Sequence, residues 1–417
     1  MSAANRKIPL AVWILAALAL GLLAGWLFPG KTGGLKLFSD LVLAALRLLA
    51  TPLIFCAVIL ALVRAQINGR SGLKLGWLLA SNTLVAIGIG LLVSNTLQPG
   101  AGAGLPPPTQ KQHAFIESKR EFDVVEDLIK KFIPRSVGAP LVENDVLALV
   151  VLAVALGLGL RAVKRRAEST AMVHSLEGGI DVVFQTILVL LHGLFYAVPP
   201  AVFCVVAAVV GNEGFGAFAS FGKFVVAVIA ALALQAAFYL VRVRLGSWIR
   251  PGHLLKHSSE ALAVAFSTAS STATLPVTYR CATEKMGLRE ESARLGAMVG
   301  GNLNNDGTAL YEAMAALFIA QALGMQLGLG QQAVVVVMAV VASVGAAGIP
   351  EAGLVTMMAV FSAVKLPIDY IPLLLTVDWF LDRCRTAINV MGDLSVSCLL
   401  DGKMRHQPAA LPVPPSV

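Results

Sequence analysis

Charge is what this chain has least of. Only 13% of its 417 residues are Asp, Glu, Lys or Arg, about half the share of a soluble domain. Hydrophobic residues make up 57%. That balance excludes a water-soluble globule and implies a polytopic membrane protein. Paired cysteines are missing as well. Cys56, Cys204, Cys281, Cys384 and Cys398 show no CxxC or metal-ligand spacing and lie in or beside apolar runs, as reduced packing residues. None of the six histidines stands at ligand spacing from a second ligand. No cleavable signal is evident. The first apolar run, 9–28, is about 20 residues, long enough to span and too long for a signal h-region.

The net charge of +8 is not a nucleic-acid footprint. Apolar runs recur at 9–28, 36–63, 75–97, 145–163, 176–210 and 215–241, and Lys/Arg clusters punctuate them. Arg6–Lys7, Arg64 to Lys74, Arg161 to Arg166 and Arg242 to Arg250 all fall on one side if each run crosses once. Both termini are then cytoplasmic. The one long polar stretch, 98–144, emerges outside.

The C-terminal part differs. Small and polar patches interrupt its apolar runs: AFSTASSTATLP (265–276), GGNLNNDGTALYEA (300–313) and ASVGAAGIPEAG (342–353). Backbone freed at membrane depth is tolerated only where it is buried in protein or lines a wet cavity, and paired broken segments point to a transporter's binding site. The segments 252–286 and 332–366 have similar lengths, each with a proline near the middle (Pro276, Pro350). They are expected to be re-entrant hairpins entering from opposite sides, with full spans at 289–327 and 369–402.

The last span, LLLTVDWFLDRCRTAINVMGDLSVSCLL, carries groups that each cost about 2.5–3.5 kcal/mol at bilayer depth. At about 100° per residue, Asp378, Asp382, Arg385, Asn389 and Asp393 fall within roughly 80° of one another, with Thr386 at the edge and Arg383 well off. This stripe faces inward. A buried ion-pair network that merely holds the bundle is the structural alternative, since Asp382 and Arg385 can pair at i,i+3. Chemically, the stripe suits a zwitterion with an extra carboxylate. The ammonium wants Asp382, the side-chain carboxylate wants the Arg385 fork, and the α-carboxylate wants half-helix N–H groups from the SST patch or the GIP turn. Cations want Asp306 and Asp393 with the amide-rich NLNNDG turn.

Four ordered motifs carry a resemblance: a serine-rich tip, an N-x-D-G-T turn, a GIP gate and D-x-x-x-D-x-x-R-T-x-x-N-x-x-x-D. The chain resembles the glutamate/neutral amino acid transporters, the dicarboxylate/amino acid:cation symporter family. The resemblance implies an all-α membrane protein of eight transmembrane helices plus two re-entrant hairpins, an inverted-repeat elevator and a homotrimer in the inner membrane. Scaffold would be 1–74 and 98–210. The transport domain would be 75–97 and 211–402, and the tail 403–417. Ser270 and Ser271 would cradle the α-carboxylate, with Thr308, Asp382, Arg385, Thr386 and Asn389 completing the pocket under a gate of Gly348, Ile349 and Pro350. One sodium would take Asp393 with carbonyls of Gly300, Asn304 and Asn389. A second would take Asp306 and Asn304, and a third the carbonyls of Asn302, Ser343, Val344 and Ala346.

The chain departs from the family pattern at Ala269, where archaeal members carry arginine. Arg383 stands in the last span instead, in reach of the space above Asp382. Glu312 replaces an archaeal Gln and, once desolvated, is a candidate proton carrier; its other role is a permanent partner of Arg383. Asn305 replaces methionine, and Asn302 a small hydroxyl residue. The tyrosine expected about four residues before Asn82–Thr83 is absent, Leu79 standing there. These changes point to reduced sodium coupling with proton movement. Glu351, beside Pro350, reads as a solvated carboxylate. The leading function is symport of aspartate or glutamate with Na+ and/or H+, with no cofactor beyond the ions and no enzymatic activity. A proton-coupled C4-dicarboxylate carrier is the near alternative, and Asp382 would repel its substrate. An intramembrane protease is the remote one: no base lies in the SST patch for Ser271, and Arg385 spoils an Asp306–Asp382 dyad.

Overall fold

The computed structural model describes residues 10–64, 69–103, 136–142, 146–164, 166, 170–213, 216–345 and 352–404. Among these residues there is no strand. The chain runs through α1 (Leu10–Leu27), α2 (Lys36–Arg64), α3 (Gly69–Leu97), α4 (Val146–Lys164), α5 (Thr170–Phe195), α6 (Val198–Glu213) and α7 (Gly216–Gly246). It continues through α8 (Pro251–Thr268), α9 (Ser271–Arg280), α10 (Asp306–Ala322), α11 (Leu329–Gly345), α12 (Ala352–Ala363) and α13 (Ile371–Asp401). Helix is what such apolar stretches must form where water cannot satisfy the backbone. Stretches within α3, α5 and α7 are each long and apolar enough to cross a membrane by length and composition. Trp13, Leu48, Trp77, Val189 and Leu245 are exposed, an outer surface suited to lipid.

One group of helices packs around α2: α4, α5 and α6 lie against it, and α1 lies along α6. The α1–α6 seam is built of glycine. A Cβ on Gly21 would sit 2.9 Å from the Phe203 carbonyl oxygen, and one on Gly25 would sit 2.9 Å from the Gly211 nitrogen. Only bare Cα atoms let the two backbones come this close. The apolar run 176–210 is not one helix. It breaks at Tyr196–Ala197, because Pro199 and Pro200 lack the N–H groups that would continue α5.

The second group gathers α3, α7, α8 and α10 around α13. The first expected hairpin is present as α8 and α9. Pro251 opens α8 at its first turn. Ala269 closes it in the left-handed conformation (φ 51°), its amide donating to the Ala265 carbonyl at 2.9 Å. Ser270 then caps α9, its hydroxyl accepting from the Ala273 amide at 3.1 Å. The break falls at this serine tip, and Pro276 lies inside α9. The second expected hairpin has its arms in α11 and α12; its tip, 346–351, lies outside the described residues. The span expected at 289–327 is interrupted. Short turns over Glu290–Leu303 stop at Asn304 (φ −102°, ψ 85°) and Asn305 (φ −112°, ψ 50°), and α10 restarts at Asp306. The polar interior lies where this break faces the middle of α13.

Candidate substrate and cation site

The α13 stripe is buried as its spacing requires. Asp378, Asp382, Arg385, Thr386, Asn389 and Asp393 are all buried, and Arg385 is the largest fully buried side chain among the described residues. Arg383, off the stripe, is half-buried and donates to the carbonyls of Phe266 and Ser267 at the end of α8. It supplies the C-terminal carbonyls of that hairpin arm with a cation. It is not the partner of Glu312, which accepts from the Thr356 hydroxyl of α12. The alternative reading of a Glu312–Arg383 pair therefore does not hold: each side chain has a partner on a different hairpin.

Arg385 organises the centre. Its Nη2 lies 2.8 Å from Asp382 Oδ1 and 2.9 Å from Asp378 Oδ1. The guanidinium stacks 4.0 Å over the Tyr311 ring, and a Cβ on Gly353 would come within 3.0 Å of Nη1. Among the described residues Nε and Nη1 have no hydrogen-bond partner. Two carboxylates thus share one guanidinium nitrogen. The cluster has one negative charge in excess and two buried donors open, which is the complement of an ammonium and a carboxylate.

Asn389 ties the stripe to the broken span. Its Oδ1 accepts from the Gly307 amide at 2.8 Å, and its Nδ2 donates to Thr308 at 3.3 Å and to Asn305 at 3.4 Å. A Cβ on Gly307 would lie 2.9 Å from the Arg385 carbonyl oxygen, so the D-G of the motif is a requirement of packing. Thr386 donates back to the Asp382 carbonyl at 2.8 Å. Ser270 and Ser271 are buried at the first hairpin tip, on the helix α9 whose N-terminus offers amides. Asn305, in the usual methionine position, donates to the Ser343 carbonyl of α11 at 2.9 Å and links the break to the second hairpin.

Two further carboxylates lie deeper. Asp393 Oδ1 accepts from Asn304 Nδ2 at 3.1 Å, and Gly300 and Gly301 pass close by. Asp393 makes no ion pair among the described residues, and the buried Asn304 Oδ1 has no donor. An unpaired carboxylate beside an orphaned amide oxygen fits a hard cation. Asp306 is different. It accepts from the Tyr239 hydroxyl of α7 at 2.6 Å and from the Thr83 hydroxyl of α3 at 2.7 Å. The phenol beside Asp306 comes from α7 and not from α3.

The expected roles of Ala346, Gly348, Ile349, Pro350 and Glu351 fall outside the described residues, as do the side chains of Asn302 and Val344. Sequence reading did not single out Tyr239, Arg242, Thr356 or Tyr311. Tyr311 sits beside a motif in NDGTALYE, while Tyr239 and Arg242 sit at the end of an apolar run and read as a membrane flank.

The model of the sodium:dicarboxylate symporter family matches residues 10–403. Excitatory amino acid transporter 1 of Ambystoma tigrinum is 30% identical over 435 residues, covering 89% of this chain and 78% of that protein. Excitatory amino acid transporter 3 of Mus musculus is 28% identical over 452 residues, 91% of this chain and 83% of the relative. Excitatory amino acid transporter 1 of Homo sapiens is 40% identical over 220 residues, 51% of this chain and 40% of the relative.

Proposed function

This chain belongs to the sodium:dicarboxylate symporter family, and on that premise we propose that it is a secondary symporter that moves acidic amino acids across the membrane with cations. It is a transporter and not an enzyme. The observation that carries the substrate reading is the fully buried Arg385, with two open nitrogens and two acidic neighbours sharing the third. A side-chain carboxylate satisfies the open guanidinium donors. The α-ammonium neutralises the excess charge at Asp382. The α-carboxylate goes to Ser270, Ser271 and the N-terminus of α9, and Thr308, Thr386 and Asn389 complete the pocket. The tip containing Gly348, Ile349 and Pro350 closes over it.

For the coupling ions, Asp393 with Asn304, Gly300 and Asn389 is the sodium position that the donor set favours. A second sodium under the gate would use the carbonyls of Ser343, Val344, Ala346 and Asn302. Glu312, buried with Oε2 lacking a partner, is the proton carrier. The architecture we propose has eight spanning helices, the fifth broken into α5 and α6, and two re-entrant hairpins. In it the group around α13 is the transport domain (75–97 and 211–402), the group around α2 is the scaffold, and three copies assemble with both termini cytoplasmic. The elevator motion slides one group past the other.

The decisive experiment is uptake of radiolabelled aspartate and glutamate into proteoliposomes with sodium and proton gradients imposed separately. Saturable uptake driven by either gradient supports the reading. Uptake of succinate in preference to aspartate would favour a C4-dicarboxylate carrier.

A further inference from the structure

Arg242 lies near the end of α7, in YLVRVRLGSWIR, where it passes for a charge flanking the membrane. The structure turns it inward, while Arg244 is exposed. Its Nη1 donates to Asn82 Oδ1 and, at 3.4 Å, to the Leu78 carbonyl; its Nη2 donates to the Ser81 hydroxyl at 2.9 Å. The Phe238 ring lies 5.5 Å from its Cζ. Every one of these partners is neutral, and among the described residues Arg242 makes no ion pair.

A buried carboxylate, Asp306, is held by the neighbouring residues of the same two helices. Asp306 is fully buried, and its hydrogen-bond partners, the hydroxyls of Tyr239 and Thr83, are neutral too. The two groups share a scaffold. Tyr239 and Arg242 are three residues apart on one face of α7, and Asn82 and Thr83 are adjacent on α3. Tyr239 and Thr83 reach Asp306 while Asn82 reaches Arg242. The same two helices, α3 and α7, thus hold a guanidinium through Asn82 and a carboxylate through Thr83 and Tyr239. A carboxylate taken out of water needs a counter-charge, and the half-buried Arg242 is the cation that shares its α3–α7 scaffold.

We propose that Arg242 is a built-in cation for Asp306, so that the Asp306 cluster holds a tethered guanidinium in place of an exchangeable coupling ion. The sodium expected at Asp306 and Asn304 does not fit this arrangement. Asp306 has one oxygen 2.6 Å from the Tyr239 hydroxyl and the other 2.7 Å from the Thr83 hydroxyl, so both of its oxygens already hold a donor. The Asn82 amide oxygen, the next available ligand, is held by Arg242. The absence of a tyrosine from α3 has the same origin: Tyr239 buries its hydroxyl against the carboxylate as part of a fixed network. The inference refines the symport reading by removing one ion from it.

Counting radiolabelled sodium bound per protomer of the purified protein tests this without transport. Asp306→Asn is expected to leave the number unchanged, and loss of one sodium would overturn the proposal. Arg242→Gln strips the carboxylate of its counter-charge and is expected to add one sodium per protomer; an unchanged number in folded protein would overturn it. If Arg242→Gln does not fold, the Arg242→Gln/Asp306→Asn double variant lacks both charges, and is expected to fold and to bind the wild-type number. A smaller number would overturn the proposal. If the wild type binds no sodium at all, it is the sodium-symport reading that fails. The charge pairing is then read from melting temperatures: each single variant lowers it and the double variant recovers part of the loss, whereas additive losses refute the pairing.

Discussion

Replacing Arg385 by alanine should abolish transport of aspartate and glutamate, and the geometry sets the scale. On the substrate side, a hydrogen bond to a charged group is worth about 1.5–3 kcal/mol. A carboxylate that takes both N–H groups of the open Nη1 makes two, so the loss is roughly 3–6 kcal/mol, or about a hundred- to ten-thousand-fold in affinity at 1.4 kcal/mol per decade. On the protein side, Asp378 and Asp382 lose the guanidinium that lies 2.9 and 2.8 Å from them. Breaking a buried pair from one side costs about 3–5 kcal/mol of stability. Arg385→Met keeps much of the volume over the Tyr311 ring and separates lost charge from lost packing. The assay is equilibrium binding of labelled aspartate, glutamate and a neutral amino acid to purified variants, with folding checked by melting temperature. The acidic substrates should lose far more affinity than the neutral one. Acidic amino acids bound as tightly by a folded Arg385→Met variant as by the wild type would refute the assignment of the guanidinium to the substrate carboxylate.

Asp382→Ala should weaken aspartate much more than succinate in competition assays, since only aspartate has an ammonium to lose; equal losses would remove Asp382 as its partner. Glu312→Gln keeps the hydrogen bond to Thr356 and removes the titrating group, so uptake should lose its response to an inward pH gradient while substrate binding persists. A pH response that survives in Glu312→Gln would place the proton elsewhere. Gly307→Ala forces a methyl group to within 2.9 Å of the Arg385 carbonyl and should cost about 1–3 kcal/mol, read as a lower melting temperature together with weaker substrate binding.

The parts of this molecule that could be read from sequence are those governed by local periodicity. Spacings of three and four residues put Asp378, Asp382, Arg385, Asn389 and Asp393 on one face, and in the structure all five are buried. The Ser/Thr patch at 265–276 and the NLNN run announced helix breaks because small and amide side chains compete for backbone groups, and Ala269 and Asn304–Asn305 are where α8 and the seventh span stop. Pairings across the chain were not legible. Tyr239 reaches Asp306, Arg242 reaches Asn82 and Thr356 reaches Glu312 over separations that no window of sequence spans. Arg242 was hidden by its position, since an arginine at the end of an apolar run satisfies the orientation rule as well as it satisfies the polar side chains of α3. The break before α6 was written in Pro199 and Pro200, but hydrophobicity alone ran straight across it.

The glycine seam between α1 and α6 divides the molecule mechanically. Gly21 and Gly25 lie against the α6 backbone and the Cβ atoms of Val206 and Val210, so the two helices are in contact too close for any added side chain to cushion. The polar interior is fastened quite differently, by single hydrogen bonds such as Asn389 to Gly307 and Asn305 to Ser343, each of which a ligand or an ion can exchange for another of similar strength. Strain from a conformational change therefore concentrates in the polar interior and spares the seam. A bulkier residue at Gly21 or Gly25 should be felt as a weaker frame, with a lower melting temperature and an unaltered affinity for substrate.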